Sequence, residues 1–358
     1  MIPILFESNE QNFEGVGIAM LKDCTRCEVV EERNGVYECE FDYPVNGTHY
    51  EKIRCGRIVV VRHDSSDDVQ PFDIYAFSKD LDGIVTFKCQ HISYRQTRIV
   101  VTADNAVSLD DAFMILKQGQ PDNPFFYLTN SSIHDASISV PAFNGTPMTA
   151  RQLLGGVEGS ILDTFQGEYE WNKWMVILWT SRGSVKDVSI RYGVNLLSCD
   201  EEVDYSEAYT ACVPYWKGQD ANGNEIIVAG DLVSSGLNAY DYRESCVPLD
   251  LSDKFETQPT ADELNHMALS YMSSNQVNLP NQNIDIDFIT LKETGEYEQF
   301  KNLQSCDLCD SVNIKFPEYG LEGTFKIVKT VYDVLAERYT DMELGNLSVS
   351  LAQALGIK

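Results

Sequence analysis

Two Cys-x-x-C spacings are the residues in this sequence that most invite chemistry: Cys24 and Cys27 in CTRC, and Cys306 and Cys309 in CDLC. Such a pair holds zinc where the chain makes a tight knuckle, and in redox proteins it cycles between dithiol and disulfide. Zinc ribbons place their knuckles roughly fifteen to twenty residues apart. Here most of the chain lies between them. Residues three apart in a strand also point to opposite faces, and Cys27 opens a strand-like run. Both pairs read as structural cysteines.

Cys89 and His91 share one face of GIVTFKCQHISY, the arrangement of a thiol beside a base. No third group can be named to orient the imidazole, and two positions along one strand suit proton transfer poorly, so packing is expected. Asp220, Asn222 and Asn224 imitate the start of a calcium loop. Glu225 stands where that loop needs glycine and Asp231 where it needs glutamate, which leaves a polar hairpin turn at Asn222-Gly223. Trp171, Trp174 and Trp179 are the side chains for stacking a sugar. Both faces of WNKWMVILW are apolar, however, as in a strand buried on two sides or at a subunit interface. Carboxylate pairs for glycoside cleavage arise by chance among 55 acidic residues. The sequence has no GxSxG, HExxH, Walker or Rossmann motif. No catalytic, cofactor-binding or metal-binding residue is assigned, no cofactor is expected, and the subunit-interface residues stay unassigned.

The elements that would position these residues are mostly strands. RIVVVRHD and GIVTFKCQHISY are β-branched and aromatic runs bounded by turn residues. In CEVVEERNGVYECEFDY, a three-residue loop Arg33-Asn34-Gly35 would put Gly35 in the left-handed position. That register places Cys27, Val29, Tyr37, Cys39, Phe41 and Tyr43 on one face, with Glu31 as the exception. Arg26, Glu28, Glu32, Glu38, Glu40 and Asp42 fall on the other. Helices are signalled by Ser108 with Asp111, Thr149 with Gln152, and Thr260 with Glu263, each a polar cap before an apolar stripe. The stripes are Leu109, Ala112, Phe113 and Leu116; Leu153, Leu154 and Val157; and Leu264, Met267, Ala268 and Tyr271. Glu170, Asn172 and Lys173 signal a turn between aromatic segments.

The 358 residues carry 27 basic against 55 acidic side chains, a formal charge of −28, with no run of five like charges. A nucleic-acid footprint is basic, and an anionic membrane would repel this surface. A negative wall would, by contrast, keep DNA from sticking inside a conduit. Glu7 and Glu10 sit where a signal peptide needs a basic start, and no apolar run approaches the ~20 residues of a membrane helix. Ten cysteines without a leader fit reduced thiols in a chain folded in a cytoplasmic compartment. The expected divisions are 1–100 as a β-barrel module, 101–190 as a mixed α+β peripheral domain, 191–280 as a β segment returning to the first barrel plus a helix, and 281–358 as a second β-barrel module with a C-terminal tail.

Segments in order along the chain resemble one family: MIPILFESNEQNF, VVEERNGVYECEFDYPVNG, IRCGRIVVV, QHISYRQ, GVEGSILDTFQGEYEWNKWMVIL, SIRYGVNL, PLDLSDKF and CDSVNIKFPEYGLEGTFKIVKTVYDVLAERYTDMELGN. They resemble phage minor structural proteins, the prophage endopeptidase tail or tail-associated lysin family, and so the baseplate hub proteins of contractile tails. The resemblance implies a mainly β, multidomain hub fold with two small β-barrels per subunit. It implies a homotrimer whose pseudo-sixfold ring adapts a six-fold tail tube to a three-fold tip and closes or lines the DNA channel. Implied partners are the distal tail protein ring, the C-terminus of the tape measure protein, and tip fibre, receptor-binding or lytic proteins. DNA would pass without specific binding, and the chain would not insert into a membrane. The implied place is the virion tail tip, assembled in the bacterial host cytoplasm. Gly35, His91, Gly159, Asp163, Gly193, Pro317 and Gly345 match the motifs, and their expected roles are turns and packing. Longer relatives continue into a cell-wall hydrolase, whereas LAQALGIK follows the last hub motif directly. The expectation is therefore a structural protein, with a tail-associated peptidase or glycosidase, or a carbohydrate-binding tail module, as alternatives.

Overall fold

A computed structural model describes the chain except residues 65, 67, 103, 121, 131–137, 192–195, 207, 220–223, 235–244, 256, 276, 278–280, 289–305, 317–320 and 346–358. The chain divides into two compact units, Met1–Asp200 with Ile284–Lys358, and Glu201–Asn283. The architecture is mainly β with α+β parts, as the sequence led us to expect.

The first unit begins with β1 (Ile4–Phe6), β2 (Ala19–Met20), β3 (Arg26–Glu32), β4 (Tyr37–Pro44), β5 (Ile58–Arg62), β6 (Val69–Lys79) and β7 (Ile84–His91). Next come β8 (Val100–Val101), β9 (Asp104–Ala106), α1 (Leu109–Gln118), β10 (Phe126–Thr129), β11 (Val140–Asn144), β12 (Met148–Thr149), α2 (Ala150–Leu154) and α3 (Ile161–Phe165). They are followed by β13 (Glu168–Asn172), β14 (Met175–Trp179), β15 (Val185–Arg191) and β16 (Leu196–Asp204). The second unit holds β17 (Ala211–Gln219), β18 (Glu225–Ala229), β19 (Val233–Ser234), β20 (Cys246–Asp250) and α4 (Ala261–Asn275). The chain continues with β21 (Asn281–Phe288), β22 (Ser311–Phe316), β23 (Leu321–Asp333) and β24 (Arg338–Gly345). Among the described residues the main sheet has thirteen strands and runs β16-β21-β24-β23-β3-β4-β7-β6-β5-β1-β2, with β22 pairing β23 and β15. Because β23 pairs antiparallel with β3, the first and last β segments share one sheet.

The β3–β4 hairpin has the expected register, Glu31 opposite Tyr37 and Cys27 opposite Phe41. Burial alternates strictly along both strands, with Glu31 sealed among the apolar residues. The left-handed residue is Asn34 (φ 58), not Gly35. Asparagine tolerates that region because its short amide bonds locally. Here the amide reaches further, donating to Gly167 O at 2.9 Å and accepting from Tyr169 N at 2.8 Å. The loop is thus specified by a contact 135 residues away in sequence.

The three capped helices form where expected. Ser108 Oγ accepts from Asp111 N, and Thr149 makes a complete capping box with Gln152. Leu109, Ala112, Phe113 and Leu116 are all buried. Leu153 and Leu154 are buried on α2, which Gly155 ends before Val157. Thr260 and Glu263 bond reciprocally ahead of α4. Its buried seam is Leu264, Ala268 and Met272, and it packs on Cys212, Trp216, Val233 and Leu251. Leu264 and Ala268 of the stripe read from the sequence are thus buried, Met267 is partly buried, and Met272 takes the place expected for Tyr271. Val140 and Ala142 from β11 and Ile161 and Leu162 from α3 join the core of the first unit.

Candidate functional site

Glu31 breaks the apolar pattern of its strand face, and the reason lies in residues far away in sequence. Its carboxylate accepts from Arg182 Nη1 at 2.9 Å and sits 3.5 Å from His63 Nδ1. The other imidazole nitrogen is 3.3 Å from Asp64. Burial alone would raise the Glu31 pKa, but the Arg182 charge and the His63 contact bring it down to about 2. For His63, burial works against the charged form, and the two carboxylates overcome it and raise its pKa. The two carboxylates flanking the imidazole favour its charged form.

A second carboxylate anchors the same region. Glu168, at the start of β13, accepts from Lys326 Nζ at 2.6 and 2.7 Å, from Arg182 N at 2.6 Å, and from Arg33 Nη1 at 3.3 Å. Lys326 also donates to Ser181 Oγ at 3.0 Å. Gly183 (φ +81) lets the segment 180–184 lie against the turn before β22, since a Cβ there would meet Cys309 O at 2.3 Å. Asp310 accepts from Ser184 N at 2.7 Å and pairs with Lys186 at 3.2 Å. These ion pairs join the hairpin loop, β13, the segment after β14, and β23. Their chemistry is that of a clamp: charges neutralised in place, with no reactive nucleophile among them.

The outer face of the hairpin is acidic. Glu28 lies directly opposite Glu40, a like-charge pair that repels. Arg26 resolves it, with Nη1 on Glu28 at 2.7 Å, Nη2 on Glu40 and Nε on Asp42 at 2.8 Å.

The cysteines are packed into the sheet. Cys24 Sγ donates to Arg26 O at 3.1 Å, Cys27 and Cys39 sulfurs lie 3.8 Å apart, and Cys39 faces Cys89 across β4 and β7. Burial pushes the Cys27 thiol well above its ordinary pKa. Cys306 and Cys309 are buried elsewhere, and burial pushes both up to about 12. Among the described residues, no three His, Cys, Asp or Glu side chains gather as metal ligands. His91 is committed at both nitrogens: Nδ1 accepts from Ser93 N, and Nε2 donates to Gln70 Oε1, each at 3.3 Å. Its ring stacks on Tyr37 at 4.4 Å. Gly159 (φ +71) precedes α3, and its N–H donates to Asp163 Oδ2 at 2.6 Å. Gly345 closes β24, where an added Cβ would meet Val328 at 3.0 Å. Gly193 and Pro317 lie outside the described residues, as do Asp220, Asn222 and Gly223 of the calcium-like series.

WNKWMVILW is not one strand. A turn at Lys173 (φ 51) divides it into β13 and β14, which pair antiparallel. Trp171 is buried beneath the Arg151 guanidinium at 4.3 Å. Trp174 stacks on Phe13 at 6.1 Å and donates to Gln11 O, while Trp179 Nε1 donates to Glu170 Oε2 at 2.8 Å. The three indoles are held by protein and form no shared platform.

The fold of the chain is similar to that of solved phage tail proteins. Residues 185–355 match the family described as prophage endopeptidase tail. The whole chain is similar in structure to prophage tail protein gp18 from Listeria monocytogenes EGD-e, with a TM-score of 0.64 at 15% identity over 99% of this chain and 98% of that one. It is also similar to the 43 kDa tail protein of prophage MuSo2 from Shewanella oneidensis, with a TM-score of 0.62 at 11% identity over 97% and 98% of the two chains. The tail protein from Neisseria meningitidis MC58 follows at 0.58 and 8% identity over 98% and 97%. No curated protein matches the chain in sequence.

Proposed function

We propose that this chain is the baseplate or tail-tip hub of a phage or phage-like particle. Three copies would form a ring that adapts a six-fold tube to a three-fold tip and lines or closes the DNA channel. The observation that carries the reading is the near-complete structural coverage of a prophage tail protein, joined to the family match over 185–355. In this reading 1–100 and 281–358 supply the two hub modules, 101–190 the peripheral domain, and 191–280 the intervening β structure with its helix. The acidic outer face of β3 and β4 would face the channel, where it repels phosphate. The ring would mate with the distal tail protein and the tape measure C-terminus, and carry tip fibres, receptor-binding or lytic proteins below. Assembly would take place in the bacterial host cytoplasm, and opening at host contact would release the tape measure.

Light scattering and electron microscopy of the purified chain test this directly. A three-fold ring is the expected result, and a chain that stays monomeric at tens of micromolar would count against it. The family description contains the word endopeptidase, so a peptidoglycan zymogram belongs beside that test. Clearing that depends on one acid or cysteine would favour the hydrolase reading.

A further inference from the structure

Among the described residues β10, β14 and β13 form a three-stranded sheet whose two faces differ in what covers them. Tyr169, Trp171, Val176 and Leu178 fill one face and are buried in the core of the first unit. On the other face the register sets Phe126 beside Met175 and Leu128 beside Ile177, with Trp179 next along β14. Phe126, Leu128 and Met175 are 57%, 47% and 37% exposed, and Ile177 and Trp179 are half-buried. Single exposed apolar residues are ordinary, but neighbours on adjacent strands form a continuous patch, which marks an interaction surface.

The same face carries Glu168, directly opposite Trp179. Glu168 accepts from Lys326, and Lys326 is the cross-strand partner of Gly345, the last residue of β24. Gly345 is thus one strand pair and one ion pair from the Trp179 end of the patch. Residues 346–358 lie outside the described residues, and their sequence is NLSVSLAQALGIK. It contains no acidic residue, in a chain that has 55. Leu347, Val349, Leu351, Leu355 and Ile357 take alternate positions, interrupted at Gln353, with serine, alanine and glycine between them. In an extended run all five would fall on one side. An extended chain advances about 3.3 Å per residue, so ten residues from Gly345 span about 33 Å, whereas Trp179 to Met175 is about 13 Å of strand.

We propose that residues 347–357 cover this face within their own chain, laying their alternate apolar side chains over Phe126, Leu128, Met175 and Ile177. The contact does not depend on the ring proposed above. The experiment uses the full-length chain with photoreactive p-benzoylphenylalanine in place of Leu351. Irradiation should link that position to peptides holding 126–128 or 175–177, in a product of single-chain mass. The same link in a product of double-chain mass would give the face to a second copy and overturn the proposal. Links to other peptides, or none, would also overturn it. Limited chymotrypsin digestion reads the contact from both sides. L128D/M175D, at two exposed positions, should keep the parent melting temperature while cleavage at Leu351 and Leu355 accelerates by roughly tenfold or more. V349D, which leaves the sheet untouched, should accelerate cleavage at Leu355 in the same way. Cleavage at Leu355 as fast in the parent as in V349D would overturn the proposal, whatever the melting of L128D/M175D.

Discussion

Glu168 and Glu31 sit where the sheet would otherwise be apolar, and each holds cations that arrive from other parts of the chain. Replacing Glu168 by alanine removes the counter-charge of Lys326, which is 4% exposed. A loss of about 3–5 kcal/mol is expected, the cost of a buried ion left without its partner, read from the urea midpoint. The pH dependence follows from two groups with opposite signs. Glu31 has a folded pKa of about 2 against an ordinary 4.5, so its contribution is complete above 4.5 and fades as the pH falls towards 2. His63 has a raised folded pKa, so its contribution is complete below its ordinary 6.5 and fades as the pH rises through the folded value. In E31Q both limbs of the stability profile should flatten; an unchanged acid limb would remove Glu31 from the account. The cysteines make a further prediction at this scale. C24S/C27S should retain the fold and assembly, and chelator should leave the melting temperature of the parent where it was. Zinc measured in the parent and lost with the fold in the double variant would contradict the packing role.

At the scale of elements, the hairpin loop shows local and distant requirements at one residue. Asn34 must adopt φ 58 and must also bridge to Gly167 and Tyr169. N34G keeps the backbone freedom and loses the bridge. N34A loses the bridge and adds about 1–2 kcal/mol of left-handed strain. N34A should therefore be the less stable of the two by about that difference. Equal midpoints in urea would mean that the bridge carries the position and the backbone does not.

Across the whole molecule, charge sets the expectation. A chain of formal charge −28 has no basic footprint to neutralise phosphates. It should leave duplex DNA unretarded in a gel at physiological salt, which is what a conduit wall requires. Micromolar retardation would contradict an acidic channel lining.

Alternation of burial along β3 and β4, the register of their loop and the three capped helices were legible in the sequence. Each depends on side chains within a few residues of one another, where strand and helix periodicity apply directly. Glu31 was legible as an exception to its face, but its partners were not. Arg182, His63, Lys326 and Glu168 meet only because β23 lies against β3 and because the segment after β14 lies on the turn before β22. No local period records those pairings. The division of WNKWMVILW into two strands was half legible, since Asn172 and Lys173 signalled a turn that the apolar alternation concealed. Local patterning in the sequence determined the elements and the sign of the surface. The tertiary structure decided which charges meet, because a buried ion pair is selected by the desolvation that only the folded sheet imposes.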